Sequence, residues 1–432
     1  MKGKKFYTGI ASALLASSIA LTGCSFSSGD ESASESSGDA VTVDVFQFKV
    51  EFKEQFEELV SMYEEENPDV NINVKTVGGG NDYGAALKTS FSSGEEPDIF
   101  NIGGPTDVQQ YEKYLADLSD TKAAKAALDG TLTSVKKDGQ ILGLPYNQEG
   151  YGLLYNKKVF EEAGINPDEI KTMDDLESAV KKLDSNKEEL GIKAPFAFPA
   201  KEKWVIGNHL ANAYIAEEFN HSVMDAYEAD TIKFEMADQM KRFLDLQNDY
   251  SIQPTLSLDY SQQVEEYFSL GKVAMIQQGN WVYNTIASMD EEFAQNNVGL
   301  LPIPVEGYEG IPVGVPNYWV VNKESEDEVV QASKEFLDWM YTSETGKKFV
   351  TEKFKFIPAY EGYEDLEIAD PISQEIYEYV KAEKTLGWVF LGAPIGWTED
   401  AFGVAVQEYI AGKITWEEVL EQSRKAWEQS RK

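Results

Sequence analysis

Few residues of this chain could make or break covalent bonds. It has two histidines, His209 and His221, and a single cysteine, Cys24. His209 stands among apolar residues of an expected helix, which reads as a packed side chain rather than a general base. Cys24 lies beside an N-terminal leader and away from any folded site, so neither a disulfide within the chain nor a catalytic thiol is expected. No His/Cys cluster and no carboxylate loop of calcium-binding spacing occurs, and neither a metal nor another cofactor is expected. A Walker-type glycine loop and a Gly-x-Ser-x-Gly turn are also missing. Acids are plentiful, 75 Asp+Glu against 38 Lys+Arg for a net charge of −37. Some pair of carboxylates suited to glycoside hydrolysis therefore always exists. A secreted glycoside hydrolase stays open as the alternative function.

That charge argues against nucleic acid, because a phosphate backbone would be repelled. Only Arg242, Arg424 and Arg431 could form the planar two-point contacts that anionic ligands favour, so a highly anionic small molecule is also a poor fit. Apolar residues make up 42% and aromatic residues 12% of the chain, enough for sizeable cores.

The N-terminus supplies an address. Three lysines within Met1–Lys5 precede an uncharged run of small and apolar residues, Gly9–Thr22, shorter than the ~20 residues of a membrane span. Residues 1–23 read as a secretory signal peptide. Leu21-Thr22-Gly23-Cys24 matches the lipobox of bacterial lipoproteins, and cleavage before Cys24 would leave a diacylglyceryl thioether there. Two acyl chains anchor more firmly than one. The rest of the segment 24–40 is rich in Ser and acids, with Phe26 its one large apolar side chain. It reads as a flexible tether of at most ~50 Å.

The body is built from alternating strand and helix signals. Val41, Val43 and Val45 alternate as a strand, Phe56, Leu59, Val60 and Tyr63 recur at helical spacing, and Val70, Ile72 and Val74 alternate again. This is a β-α-β unit of a mostly parallel sheet. A further helix (Tyr83, Leu87, Phe91) leads to a short strand, Asp98–Ile102, ending in Gly103-Gly104-Pro105. Capping boxes open helices at Thr172 with Asp175 and at Thr415 with Glu418. Roughly 400 mature residues exceed one comfortable core, so two lobes are expected.

Five further segments carry a resemblance: Glu95-Glu96-Pro97-Asp98-Ile99-Phe100, Gly143-Leu144-Pro145-Tyr146, Leu154-Tyr155-Asn156-Lys157, Lys272-Val273-Ala274-Met275 and Gly279-Asn280-Trp281. With the lipobox, the tether and the opening strand, their order and spacing resemble the extracellular solute-binding proteins of ABC importers, in the sugar-binding group of maltose- and raffinose-type receptors. The resemblance runs from Val41 to the C-terminus. It implies an α/β, two-lobed periplasmic-binding-protein-like fold, each lobe a mostly parallel sheet flanked by helices, with a ligand cleft between them. The N-terminal lobe would comprise 41–147 plus 318–362, and the C-terminal lobe 148–317 plus 363–432. The chain would cross near Asn147–Gly150, near Val313–Trp319 and after about Tyr360.

By that resemblance the protein is a monomeric receptor, not an enzyme. It would be lipid-anchored at Cys24 on the extracellular face of the cell membrane, capturing a neutral mono- or oligosaccharide for the permease of an ABC importer. A sugar offers C–H faces to aromatic rings and hydroxyl pairs to carboxylates and amides. The resemblance assigns contacts to Lys49 and Glu51 after the opening strand, where a solvated charge pair is the alternative, and to Asn101, where a simple turn is. Asn147, Gln148 and Glu149 cluster at the first crossing. Glu202 and Trp204 fit an acid followed by a ring two residues on. Trp281 is the expected stacking platform, with Gln277 as companion and core packing as the alternative. Asn317 lies at the second crossing. Asp400 and Trp397 would act at the start of a helix Ala401–Ala411, with Asp400 alternatively a plain N-cap.

Overall fold

The computed structural model describes residues 40–78, 83–365 and 367–432. Cys24, the signal peptide and the tether lie outside them. The opening pattern forms as expected: β1 (Val41–Gln47) and β2 (Val70–Thr76) pair in parallel. The helix Lys53–Glu66 between them buries Phe56, Leu59, Val60 and Tyr63, the stripe that three- and four-residue spacing puts on one helix face. Next to β1 runs β3 (Ile99–Ile102). A hairpin of β4 (Lys136–Lys137) and β5 (Gln140–Ile141) precedes the short β6 (Leu144–Pro145).

From there the chain enters a second sheet as β7 (Glu149–Asn156) and continues it with β8 (Ala194–Phe196), β9 (Val273–Gly279), β10 (Val298–Leu301) and β11 (Ile311–Gly314). It returns to the first sheet as β12 (Tyr318–Val321), and β13 (Thr385–Leu386) later joins the second. The strand orders are β2-β1-β3-β12-β6 and β13-β11-β7-β9-β8, with β10 also on β7. One core, including Phe56, Tyr146, Trp319 and Phe336, packs on the first sheet. A larger one, including Leu153, Tyr214, Phe243, Ile276 and Trp427, packs on the second.

In each sheet one strand runs against the others, β12 in the first and β7 in the second. The cause is the crossing itself. β6–β7 and β11–β12 are two extended stretches paired antiparallel, with Pro145 opposite Tyr318, Gly150 opposite Val313, and Tyr146 N donating to Asn317 O at 2.9 Å between. A two-stranded antiparallel ribbon that belongs to both sheets must place one reversed strand in each. A third stretch lies beside it, where Gln148 N donates to Ile357 O at 2.9 Å and Gln148 Nε2 to Pro358 O at 2.8 Å.

Both capping boxes close reciprocally. Thr172 N donates to Asp175 Oδ2 at 2.9 Å, Asp175 N to Thr172 Oγ1 at 3.2 Å, Thr415 N to Glu418 Oε2 at 2.7 Å and Glu418 N to Thr415 Oγ1 at 3.2 Å. Among the described residues no helix is long and apolar enough to cross a membrane.

Candidate functional site

At the carboxyl end of β1 the Lys49 backbone N–H donates to Gln47 Oε1 at 3.0 Å, which turns the chain and sends the lysine side chain toward the crossing. There its ammonium pairs with Glu149, the first residue of β7, and lies 5.1 Å from the Phe48 ring centre and 5.5 Å from that of Phe52. Asn147 Nδ2 donates to the same Glu149 oxygen at 3.2 Å. Two residues on, Glu51 receives the Tyr260 hydroxyl at 3.5 Å. Burial pushes the Glu51 carboxyl above its ordinary value, the Lys49 ammonium pulls it back, and the Glu149 charge adds to the rise.

Tyr260 begins a chain of rings carried by the second sheet's side. It lies 5.9 Å from Trp204, which is 5.1 Å from His209, which is 5.0 Å from Trp281. Tyr151 stacks on His209 at 4.3 Å and 20°, and Trp388 stands edge-on to Trp281 at 6.4 Å. Polar tips are tied off around the rings. Glu202 accepts from Trp204 Nε1 at 3.2 Å and from Tyr260 N at 3.1 Å, and Gln278 Oε1 accepts from Trp281 Nε1 at 2.8 Å. Burial lowers the His209 pKa to about 3, so its imidazole stays neutral and serves as another ring.

Two glycines of the second sheet let these rings lie against backbone. A Cβ on Gly279 would fall 2.3 Å from the Trp281 ring, and one on Gly314 would fall 2.5 Å from that of Trp388. Phe52 and Glu149 face Trp281 across a gap of about 10 Å³, room for one water. Among the described residues no group of His, Cys, Asp and Glu is arranged to hold a metal ion.

The arrangement is therefore a neutral aromatic wall that holds Glu202, with Glu51 joining it to a buried ion pair. Residues 48–347 match the family described as "Bacterial extracellular solute-binding protein". The chain belongs to that family. Similar proteins include the melibiose/raffinose/stachyose-binding protein MelE of Bacillus subtilis, 23% identical over 379 residues, covering 83% of this chain and 85% of MelE. The multiple sugar-binding protein of Streptococcus mutans is 22% identical over 347 residues, 77% of each chain. Among solved structures, RafE in complex with raffinose matches with a TM-score of 0.76 at 20% identity, over 91% of this chain and all of RafE. A chitin oligosaccharide-binding protein matches with a TM-score of 0.76 at 25% identity, over 91% of this chain and all of its own. The two-lobed α/β fold of periplasmic-type binding proteins is thus the fold of this chain. These relatives are named as binding proteins, which lends the glycoside-hydrolase alternative no support.

In this solute-binding protein, Glu149 and Trp281 border the gap, Lys49 and Asn147 join Glu149, and Glu51, Glu202 and Trp204 are linked to one another through Tyr260. Asn101 borders them, accepting from Phe48 N at 3.3 Å. Asn101 Nδ2 and Asn147 Oδ1 are both buried without a hydrogen-bond partner. Gln148 and Asn317 belong to the crossing ribbon, where Gln148 ties two stretches together and Asn317 contributes its carbonyl.

Gln277 points the other way, into the second core, and accepts from Gln247 Nε2 at 2.9 Å. Successive side chains of a strand alternate faces, so Gln278 and not Gln277 accompanies Trp281. Trp397 is packed in the second core, where its indole N–H donates to Ser423 O at 2.7 Å and its ring stacks on Phe402 at 5.6 Å. Asp400 is 76% exposed and pairs with Lys203 Nζ at 2.7 Å. Gly396, rather than Asp400, caps that segment, which begins as a wider π turn, Trp397–Gly403, before the helix Val404–Ile410.

His209 is packed as its sequence setting suggested, and sequence reasoning missed Tyr151, Tyr260, Gln278 and Trp388. Gln278 stands three residues before Trp281, the spacing that the 3-10 turn Asn280–Val282 brings together, and that spacing could have indicated it. Tyr260 carried no local signal, because its place in the site depends on Glu51, more than two hundred residues away.

Proposed function

We propose that this chain is a lipid-anchored receptor that captures a neutral oligosaccharide and delivers it to the permease of an ABC importer. The observation that carries the reading is the facing of the ring chain, Tyr260 through Trp281, against the Lys49–Glu149 pair and Glu51. Rings stack on the C–H faces of pyranoses, and carboxylates accept from pairs of hydroxyls. The unpartnered Asn101 Nδ2 and Asn147 Oδ1 supply a donor beside Phe48 and an acceptor beside the Lys49–Glu149 pair. The sugar relatives support this class of ligand over others.

The gap beside Glu149 and Trp281, about 10 Å³, lies far below the roughly 300 Å³ and more of ligand pockets, so a sugar seated between these two side chains requires the walls to part. The ribbon of Leu144–Asn156 with Ile311–Val321 supports a hinge between two lobes, 41–147 with 318–362 and 148–317 with 363–432. A sugar touching both would favour the closed form through its extra contacts there. Cys24 would hold the monomeric receptor at the outer face of the membrane.

The test is a thermal-shift screen against mono- and oligosaccharides, followed by recovery of the bound sugar. A ligand at a hundred times its dissociation constant adds ~2.7 kcal/mol of stability. Intact sugar on recovery is expected. Cleaved sugar would make the protein a hydrolase, and no shift with any sugar would overturn the ligand class.

A further inference from the structure

The two sides of the molecule also meet away from the ring chain. The helix Pro105–Tyr111 follows β3 and is held on the first sheet by Val108 and Tyr111. Facing it are the short helix Val223–Glu228 and the turn Val389–Gly392, which belong to the second core through Ala226 and Val389. Thr106 Oγ1 donates to Ala393 O at 3.1 Å, and the Tyr227 hydroxyl donates to Gln109 Oε1 at 3.1 Å. Gly104 approaches Leu391 so closely that a Cβ would lie 2.8 Å from the Leu391 carbonyl oxygen.

Arg431 organises the second-core side of this contact. Its Nη2 donates to Ala226 O at 3.0 Å and to Gly392 O at 2.6 Å, and its guanidinium lies 5.3 Å from the Tyr227 ring centre. One planar cation thus fixes helix, turn and tyrosine as a single surface.

We propose that Gly104, Thr106 and Gln109 against Tyr227, Leu391 and Ala393 form a clasp that closes the two lobes with or without sugar, and so sets affinity without touching the ligand. The inference rests on the two-lobe receptor reading above. Its physical basis is linkage: when only the closed form binds tightly, the apparent dissociation constant rises as the closed fraction falls. Two neutral hydrogen bonds bias such an equilibrium without locking it, which leaves the cleft able to open for exchange. Gly104 marks the clasp as a closure contact and not a folding requirement. Its backbone, at φ −151° and ψ −155°, is extended, so glycine is needed there only because Leu391 comes close from the other side.

The experiment uses the full chain with Cys24→Ser, measured by solution scattering and by calorimetric titration with the tightest neutral oligosaccharide found. Gly104→Ala and Tyr227→Phe are each expected to enlarge the sugar-free radius of gyration. They should weaken affinity by about two- to tenfold, the range of one net hydrogen bond, while saturating sugar restores the parent's compact profile. Arg431→Met should act in the same direction through Tyr227. Tyr227→Phe removes one half-exposed hydroxyl and keeps the test valid if Gly104→Ala folds poorly. Unchanged radius and affinity in Tyr227→Phe and Gly104→Ala would overturn the clasp and leave the receptor reading intact. If no neutral sugar binds the parent yet the variants still expand, the receptor reading falls and with it the clasp's role in affinity, while the closure contact itself stands.

Discussion

Lys49, in the turn after β1, and Glu149, the first residue of β7, form an ion pair whose side chains are 3% and 5% exposed, and it joins the two sheets where the chain crosses between them. Removing one partner of a buried pair leaves the other charge uncompensated, at a cost of about 3–5 kcal/mol. Lys49→Met is expected to lower the unfolding free energy by about that much. Lys49→Met with Glu149→Gln should recover a large part of it, because no lone charge remains. Urea titrations of the four proteins in the cycle check this. Strict additivity of the two single changes would show that the pair is not coupled.

Two tryptophans separate binding from folding. Both belong to the second core, but Trp281, 7% exposed, also borders the gap beside Glu149, whereas Trp397, 2% exposed, is held deeper by Ser423 and Phe402. Trp281→Ala is expected to weaken sugar binding more than tenfold, about 2 kcal/mol, with cooperative unfolding preserved. Trp397→Ala should instead cost roughly 3–5 kcal/mol of stability. Calorimetric titration beside thermal unfolding of each variant decides the matter. The reverse pattern would exchange their roles.

Asp370 makes stability depend on pH. It caps the helix Pro371–Lys381, accepting from Ile372 N at 2.8 Å and from the Ser373 hydroxyl, and burial pushes its carboxyl up to about 7. The folded protein therefore holds a proton that the unfolded chain, with an aspartate pKa near 4, has already released. This contribution to stability is fully present below about pH 4 and is lost as pH rises through about 7. Asp370→Asn imitates the protonated acid. It should gain on the parent between pH 5 and pH 8 by on the order of a few kcal/mol. An equal difference at both pH values would contradict the assignment.

Cys24→Ser should move the protein from the membrane fraction to the soluble fraction, because it removes the thiol that would carry the acyl chains. Sugar affinity should stay unchanged, since residues 24–40 carry no expected ligand contact. Fractionation of cells producing each form is the measurement, and a variant that stays with the membrane would remove the anchor from the proposal.

Local chemistry alone determined a good part of this protein. The capping boxes at Thr172 and Thr415 and the helix stripe Phe56–Leu59–Val60–Tyr63 rest on interactions between residues three and four apart. The alternation that made β1 and β2 legible as strands joins residues two apart. Such contacts are close in sequence, and the residue types record them directly. The direction of the sheets was also readable, except for the reversed β7 and β12, which follow from the pairing of two stretches some 170 residues apart. The site shows the same division. That acids, amides and rings would meet was readable in the residue types and the resemblance they carry, but which ones meet was decided by packing between distant segments. Gln278 rather than Gln277 accompanies Trp281 because register sets the face of each strand residue. Trp397 turns inward because a helix beginning at Trp416 offers Ser423 O to its N–H. Glu149 is drawn to Lys49, a hundred residues before it, because a charge excluded from water takes a counter-charge that the fold brings within reach.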